Sequence, residues 1–203
     1  MQADTTAPEF DPNNDPAKLA RIGTLVASRL HANLLVQQVD HAEAQLYLYQ
    51  GFLSAADCNT MIAKIDADAV PSTLYKGTEQ EGFRTSYSCH LNRWDAFISK
   101  VEARMSDVLG IDNTYAETMQ GQRYQVGQEF KAHHDFFHPT QSYWAHEGPS
   151  GGQRSWTAMI FLNEPEEGGA TEFPHLGLGD TSPQGCVARP DHPFLPLTLS
   201  SQT

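Results

Sequence analysis

The feature that most constrains the fold is a change of hydrophobic period at Gly110. Before it, apolar residues recur at helical spacing, and after it short runs of alternating residues are divided by glycine and proline. Helices and strands of this kind each have to bury one face, so helices followed by a β-rich half favour an α+β domain. At 203 residues the chain is long enough to bury a core without disulfide or metal staples.

Three helices are predicted in the first half. Asp15 and Pro16 are typical of a helix start, and the apolar spacing extends this first helix over 16–38. Ser54 predicts the start of a second helix, after an alternating strand at 44–50. A third amphipathic helix is predicted over 94–109. We expect its apolar side chains to pack against the sheet, namely those of Phe97, Val101, Met105 and Val108.

Composition narrows the classes of function. Thirteen basic against twenty-five acidic residues give a net charge of −12, the wrong sign for binding nucleic-acid phosphates or an anionic membrane. The three cysteines, Cys58, Cys89 and Cys186, are widely spaced, which argues against a disulfide framework and is typical of a reducing compartment. Neither a secretory leader nor a membrane-spanning run is visible. We therefore expect a cytoplasmic protein with no nucleic-acid or membrane partner.

Three segments are predicted along the chain. Residues 1–14 are polar and acidic and are expected to form a disordered N-terminal tail, followed by one domain over 15–178. Residues 179–203 differ in character from that domain. Because proline cannot donate to a strand ladder, this tail is not expected to form central strands. Its prolines are Pro183, Pro190, Pro193 and Pro196.

The stretch YQVGQEFKAHHDFF ends in the triplet His133, His134 and Asp135. Side chains alternate across a strand, so His133 and Asp135 share one face and His134 points away. One imidazole and one carboxylate can chelate a metal ion, and a second histidine would complete the facial set of non-haem iron(II) oxygenases. An isolated H-x-D is more often a polar surface pair, so on spacing alone both interpretations stay open.

The blocks around the triplet resemble the prolyl 4-hydroxylase branch of the iron(II)/2-oxoglutarate dioxygenases. Tyr124, Gly127 and Phe130 lead into His133 and Asp135 as in that family. Upstream, GFRTSYSCHLNRWDAFISKVEARM resembles its R-x-S segment and helix, and the resemblance covers about residues 44–178. Downstream, GGQRSWTAMIFLNEPEEGGATEF is similar to the signature R-x-x-T-x-x-x-Y-L-N … G-G-x-T-x-F. The matching residues there are Arg154, Thr157, Leu162, Asn163, Gly168, Gly169, Thr171 and Phe173.

This resemblance implies a double-stranded β-helix (jelly roll) core with N-terminal supporting helices, incomplete at the C-terminus. His133 and Asp135 would be two iron ligands, and Tyr124 and Thr157 would contact 2-oxoglutarate. Tyr124 is equally typical of a core aromatic residue, and Phe161 replaces a tyrosine that family members often use. The implied cofactors are iron(II), 2-oxoglutarate as cosubstrate and ascorbate. The implied partners are dioxygen and a peptide, protein or small-molecule substrate.

The chemistry asks the protein for orientation and exclusion of water. Iron(II) held by two imidazoles and a carboxylate can accept a bidentate 2-oxo acid, whose oxidative decarboxylation yields succinate. No catalytic side chain is therefore needed as a nucleophile. The segment FFHPTQSYWAHEGPSGGQ is a candidate lid or substrate loop, in which His138 and His146 are expected to be solvated.

The family pattern fails after Leu178. Members continue with strands that carry a second histidine ligand and then a Lys or Arg that pairs with the far carboxylate of 2-oxoglutarate. His192 is the only histidine late enough to be that ligand, since His175 comes too early, and Arg189 precedes His192. Two functions stay open: an oxygenase with poor turnover, or a non-catalytic remnant that binds metal weakly or acts as an interaction module. A zinc hydrolase is disfavoured because H-E-x-x-H is absent.

Overall fold

The structure is a computed structural model that describes residues 11–42, 44–74, 80–176 and the backbone of 194–199. Within these residues the α-helices are α1 Pro16–His31, α2 Ala55–Asp68, α3 Ala96–Leu109 and α4 Trp144–Gly151. The strands are β1 Val36–Val39, β2 Gln45–Gln50, β3 Val70–Pro71, β4 Tyr87–His90, β5 Gln120–Arg123, β6 Thr157–Ala158 and β7 Phe194–Leu199. Short 3-10 helices lie at Pro12–Asn14, Asn113–Tyr115 and Pro174–Leu176.

The strands form two antiparallel sheets. One has the order β1-β2-β7-β6 and the other has the order β3-β4-β5. In the larger sheet β7 lies between β2 and β6, with Thr198 opposite Leu46 on one side and Thr157 on the other. Helices and antiparallel sheets occur together in one chain, as the predicted α+β class requires.

The core is built mainly by α1, α2, α3 and β2. Leu30 and Phe52 are 0% exposed, and Tyr47 and Ile98 are each 1% exposed. The predicted apolar face of the third helix is confirmed. Its members Val101 and Val108 belong to the buried cluster, and Phe97 and Met105 pack against it.

The predicted helix starts are confirmed by their caps. The Asp15 carboxylate accepts a hydrogen bond from the amide of Ala17, and the Ser54 hydroxyl oxygen accepts one from the amide of Asp57. Gly110 follows α3 with φ of 70°, a left-handed conformation that glycine adopts without steric cost. The first helix ends at His31 rather than at residue 38, because Val36–Val39 pair with β2 instead.

Two predictions about the chain ends differ from the structure where it describes them. Residues 1–10 of the predicted N-terminal tail lie outside the described residues. Asp11–Asn14 are ordered, because the Trp144 indole donates to the Asp11 carboxylate at 2.7 Å and the Gln153 amide donates to the Asn13 carbonyl at 2.9 Å. The tail also contributes a central strand, β7, despite Pro196. At Pro196 the strand has only β2 as a recorded neighbour, since β6 pairs with Leu197 and Thr198. Proline is tolerated where one side of a strand is unpaired.

The predicted strand through the triplet is also wrong. Pairing with residues 83–85 stops at Lys131, whose amide donates to the Phe83 carbonyl, and Phe130 forms only an isolated bridge with Arg84. Beyond that point, the His133 side chain donates to the Lys131 carbonyl, so this carbonyl is not available to a neighbouring strand.

The segment predicted as a loop contains α4. Within the described residues, none of the helices is long and apolar enough to cross a membrane.

Candidate metal centre

His133 and Asp135 lie side by side, as the period-two argument predicts. The Nε2 atom of His133 is 3.4 Å from Oδ1 of Asp135, and about a third to two-fifths of each side chain is exposed, 33% and 41%. An imidazole nitrogen and a carboxylate oxygen at this separation can both reach one metal ion. The two side chains lie together although residues 133–135 form no regular strand.

The His133 ring is oriented by its surroundings. Its Nδ1 atom is 2.7 Å from the Lys131 carbonyl oxygen, which can only accept, so Nδ1 carries the proton and donates. The Phe130 ring stacks on the imidazole with centroids 3.8 Å apart and planes 21° apart. Outer hydrogen bonds of this kind fix the tautomer of metal-binding histidines. Nε2 is therefore the atom presented toward Asp135.

Asp135 is held at both its side chain and its backbone. The Thr157 hydroxyl donates to Oδ2 of Asp135 at 2.7 Å. The Arg154 guanidinium donates to the Asp135 carbonyl at 3.0 Å, binds Glu117 through two hydrogen bonds of 2.5 and 2.6 Å, and lies 4.2 Å from the Phe137 ring centre. A bidentate Arg–carboxylate pair is geometrically specific, so it anchors the loop that carries Asp135.

The two side chains also perturb each other's charge. Interaction with the Asp135 carboxylate, which can accept from a protonated ring, raises the pKa of the His133 imidazole above its ordinary value. The same interaction lowers the pKa of the Asp135 carboxyl, and the hydrogen bond that Thr157 donates acts in the same direction. A proton therefore competes with a metal ion for this pair.

The other predicted histidines lie elsewhere. His134 points away from the pair and stacks with His175 at a centroid distance of 6.0 Å and an interplanar angle of 8°. His146 is exposed, with 84% of its side chain accessible, and His138 is exposed as well. These positions agree with the expected solvated roles of His138 and His146.

The two residues predicted to contact 2-oxoglutarate differ in placement. Thr157 lies at the site, bonded to Asp135. Tyr124 is 45% exposed, so it is not a core aromatic residue, and its hydroxyl donates to Gln122 at 2.9 Å. Sequence reasoning missed Glu117, the partner of Arg154, because no local pattern connects residues 37 positions apart.

The pair has no third protein ligand within the described part of the chain. Over those residues, no group of three or more His, Cys, Asp or Glu side chains is arranged to hold a metal ion. The late histidine singled out from the sequence, His192, lies outside the described residues, as do Arg189 and Cys186. The donors that are described, one imidazole and one carboxylate, fit two positions of an iron(II) site.

The chain is similar to known proteins. The family model described as the 2OG-Fe(II) oxygenase superfamily matches residues 119–192. The chain is 30% identical over 145 residues to probable prolyl 4-hydroxylase 3 of Arabidopsis thaliana, covering 69% of this chain and 49% of that protein. It is 31% identical over 137 residues to prolyl 4-hydroxylase 5 of the same plant, covering 65% and 45%. The chain thus spans about half the length of the curated relatives it matches.

Residues 119–192 thus carry the sequence pattern of the 2OG-Fe(II) oxygenase superfamily. Over about two thirds of its length, the chain is also similar to the prolyl 4-hydroxylases of Arabidopsis. The matched segment continues past Leu178 to His192, further along the chain than the sequence patterns predicted.

Proposed function

We propose that this protein is an iron(II)- and 2-oxoglutarate-dependent oxygenase that hydroxylates peptidyl proline. The observation that carries the proposal is the pairing of His133 Nε2 with Asp135 Oδ1 at 3.4 Å in a chain of this family. A prolyl substrate is favoured over a small molecule because the relatives are prolyl 4-hydroxylases. Ascorbate belongs to the same proposed cofactor set.

The residues at the site have separate tasks in this proposal. His133 and Asp135 hold the metal, and the Lys131 carbonyl and Phe130 ring keep the imidazole in place. Iron(II) bound there would supply the activation of dioxygen that accompanies decarboxylation of the 2-oxo acid. The protein orients the reactants and limits water, so none of these side chains acts as a nucleophile.

The finer architecture belongs to the proposal too. We infer that the two antiparallel sheets are parts of a jelly roll with the helices on one side, as the family implies. His192 is the last residue of the segment that matches the family and is the candidate for the third ligand. We expect turnover to be slow if His192 does not bind iron, because water then replaces a protein donor.

Metal-binding variants test the site. We expect His133→Ala and Asp135→Ala to lower iron(II) affinity by more than the roughly 10- to 100-fold typical of outer-shell changes, because each removes a donor. His134→Ala is the matched control, since its ring faces His175. Anaerobic calorimetry with iron(II) measures the three affinities. Equal losses in all three variants, or no binding by the unaltered protein, would overturn the proposal.

Cosubstrate binding separates the oxygenase from a non-catalytic remnant. The iron(II) form is titrated anaerobically with 2-oxoglutarate, and a visible charge-transfer band followed by succinate formation in air is the expected result for a complete site. The His192→Ala variant then tests the third ligand, and we expect it to lose the band. Iron binding without a band in the unaltered protein would favour the remnant.

A further inference from the structure

The two oxygens of the Asp135 carboxylate have different environments. Oδ1 lies 3.4 Å from His133 Nε2, on the side where a metal would be shared. Oδ2 accepts a hydrogen bond of 2.7 Å from the Thr157 hydroxyl. A hydrogen bond to Oδ2 occupies part of its lone-pair capacity and so favours Oδ1 as the oxygen that binds a metal. The surrounding residues thus already distinguish a ligating oxygen from a supporting one.

Thr157 is the main restraint on the rotation of this carboxylate. The hydrogen bond from Arg154 to Asp135 goes to the backbone carbonyl, so it anchors the loop and does not act on the carboxylate oxygens. His133 approaches Oδ1 at 3.4 Å, longer than a normal N–H···O bond. The Thr157 bond at 2.7 Å is therefore the one short contact recorded for the Asp135 side chain among the described residues.

We propose that Thr157 is a positioning residue that holds Asp135 as a one-oxygen ligand, instead of contacting 2-oxoglutarate as the family resemblance implied. This inference rests on the proposed function, because it assumes that Asp135 binds the metal. Without the hydroxyl, Oδ2 is free to rotate toward the metal and to occupy a second coordination position. That position is one that the cosubstrate or dioxygen needs.

The two roles of Thr157 predict different losses. A residue that contacts 2-oxoglutarate affects binding of that compound and leaves the affinity for metal alone unchanged. A residue that positions Asp135 affects metal affinity when no 2-oxoglutarate is present. Partners of metal ligands typically contribute about 10- to 100-fold in metal affinity.

The test compares three variants by calorimetry with cobalt(II) and with anaerobic iron(II), without 2-oxoglutarate. Thr157→Val keeps the shape and removes the hydroxyl, and we expect a roughly 10- to 100-fold weaker affinity. Thr157→Ser restores the hydroxyl and should bind nearly as tightly as the unaltered protein. Thr24→Val, at an exposed threonine of α1 whose hydroxyl donates to the Ala20 carbonyl, is the matched control and should not change the affinity. The cobalt(II) absorption bands should also change in Thr157→Val alone, because the coordination number changes.

Each outcome separates this role from the function it depends on. Equal metal affinity in Thr157→Val and the unaltered protein, with weaker 2-oxoglutarate binding, would overturn the inference and leave the proposed function standing. Equal losses in Thr157→Val and Thr157→Ser would also overturn it, since the hydroxyl could not then be the cause. Failure of the unaltered protein to bind either metal would instead overturn the proposed function, and the positioning role with it.

Discussion

The helix-backed core and the candidate metal centre are held together in different ways. In the core, Leu30, Phe52 and Ile98 are at most 1% exposed, and apolar contacts surround them. At the centre, His133 and Asp135 are 33% and 41% exposed and are held by a few hydrogen bonds. Burial of apolar area supplies most of the folding free energy, whereas hydrogen bonds supply direction. Stability and site geometry should therefore respond to different substitutions.

The largest expected effect on stability is at Phe52. This ring is 0% exposed, meets Tyr49 edge to face at 5.6 Å, and lies under the Arg104 guanidinium at 4.7 Å. Phe52→Ala should lower the free energy of unfolding by about 3–5 kcal/mol, measured by urea denaturation. Leu34→Ala, at a side chain 99% exposed, is the control and should change it by less than about 0.5 kcal/mol. A large loss of metal affinity in Phe52→Ala protein that is still folded would show that core packing also sets the geometry of the metal centre.

A smaller effect is expected where β5 packs on α2. A Cβ atom at Gly121 would lie 2.4 Å from Ile65 Cγ1 and 3.1 Å from Cys89 Sγ, so the neighbours would have to move. Gly121→Ala should therefore destabilise the fold by about 1–3 kcal/mol in the same denaturation experiment. An unchanged unfolding midpoint would show that this part of the core is looser than the structure indicates.

Gly23→Ala should have the opposite sign. Gly23 lies within α1, and a Cβ atom there would meet nothing within 4 Å. Because glycine is less favourable than alanine in a helix, the substitution should stabilise the protein by about 0.5–1 kcal/mol. Gly23→Ala and Gly121→Ala are matched in chemistry, so equal shifts in both would contradict the packing described for the core.

The smallest expected effect is a pH dependence at the start of α3. The Lys64 side chain bonds to Asp95 at 2.6 Å and, with the helix amides, lowers the pKa of the Asp95 carboxyl. A lowered folded-state pKa gives stability that is present above the unfolded value of 3.8 and is lost as the pH falls through the folded value. Asp95→Asn should therefore reduce the loss of unfolding free energy as the pH falls below 3.8, measured by urea denaturation at several pH values. Lys64→Met should reduce the same pH dependence in part. An unchanged pH dependence in both variants would contradict the lowered pKa of Asp95.

Local signals in the sequence predicted much of the helical half. Asp15, Ser54 and Gly110 mark helix ends through bonds to nearby backbone, so their effect is visible from neighbouring residues alone. The predicted end of α1 is too late because Val36–Val39 form a strand that pairs with β2. Helical spacing alone does not reveal this pairing. The tail was misjudged for a similar reason. Its proline content argued against a strand, but β7 is defined by its neighbours on both sides.

Sequence reasoning about the site succeeded where geometry is local. Two residues apart, His133 and Asp135 share a side in any extended chain, so their pairing follows from the backbone. The supports of Asp135 come from residues 19 and 22 positions away, Arg154 and Thr157, and no spacing rule gives their contacts. Family resemblance also selected Thr157, whose partner in the structure is the Asp135 side chain.

The position of β7 in the sheet bears on the order of events during synthesis. Among the described strands, β6 pairs only with β7, although Phe194–Leu199 follow it much later in the chain. The helices α1 to α3 and strand β2 are translated earlier and can pack as soon as they leave the ribosome. Strand β6, and with it Thr157, can join the sheet only after β7 has been made. A translational pause before Phe194 would therefore leave a nascent chain with a formed core and an unfinished metal centre.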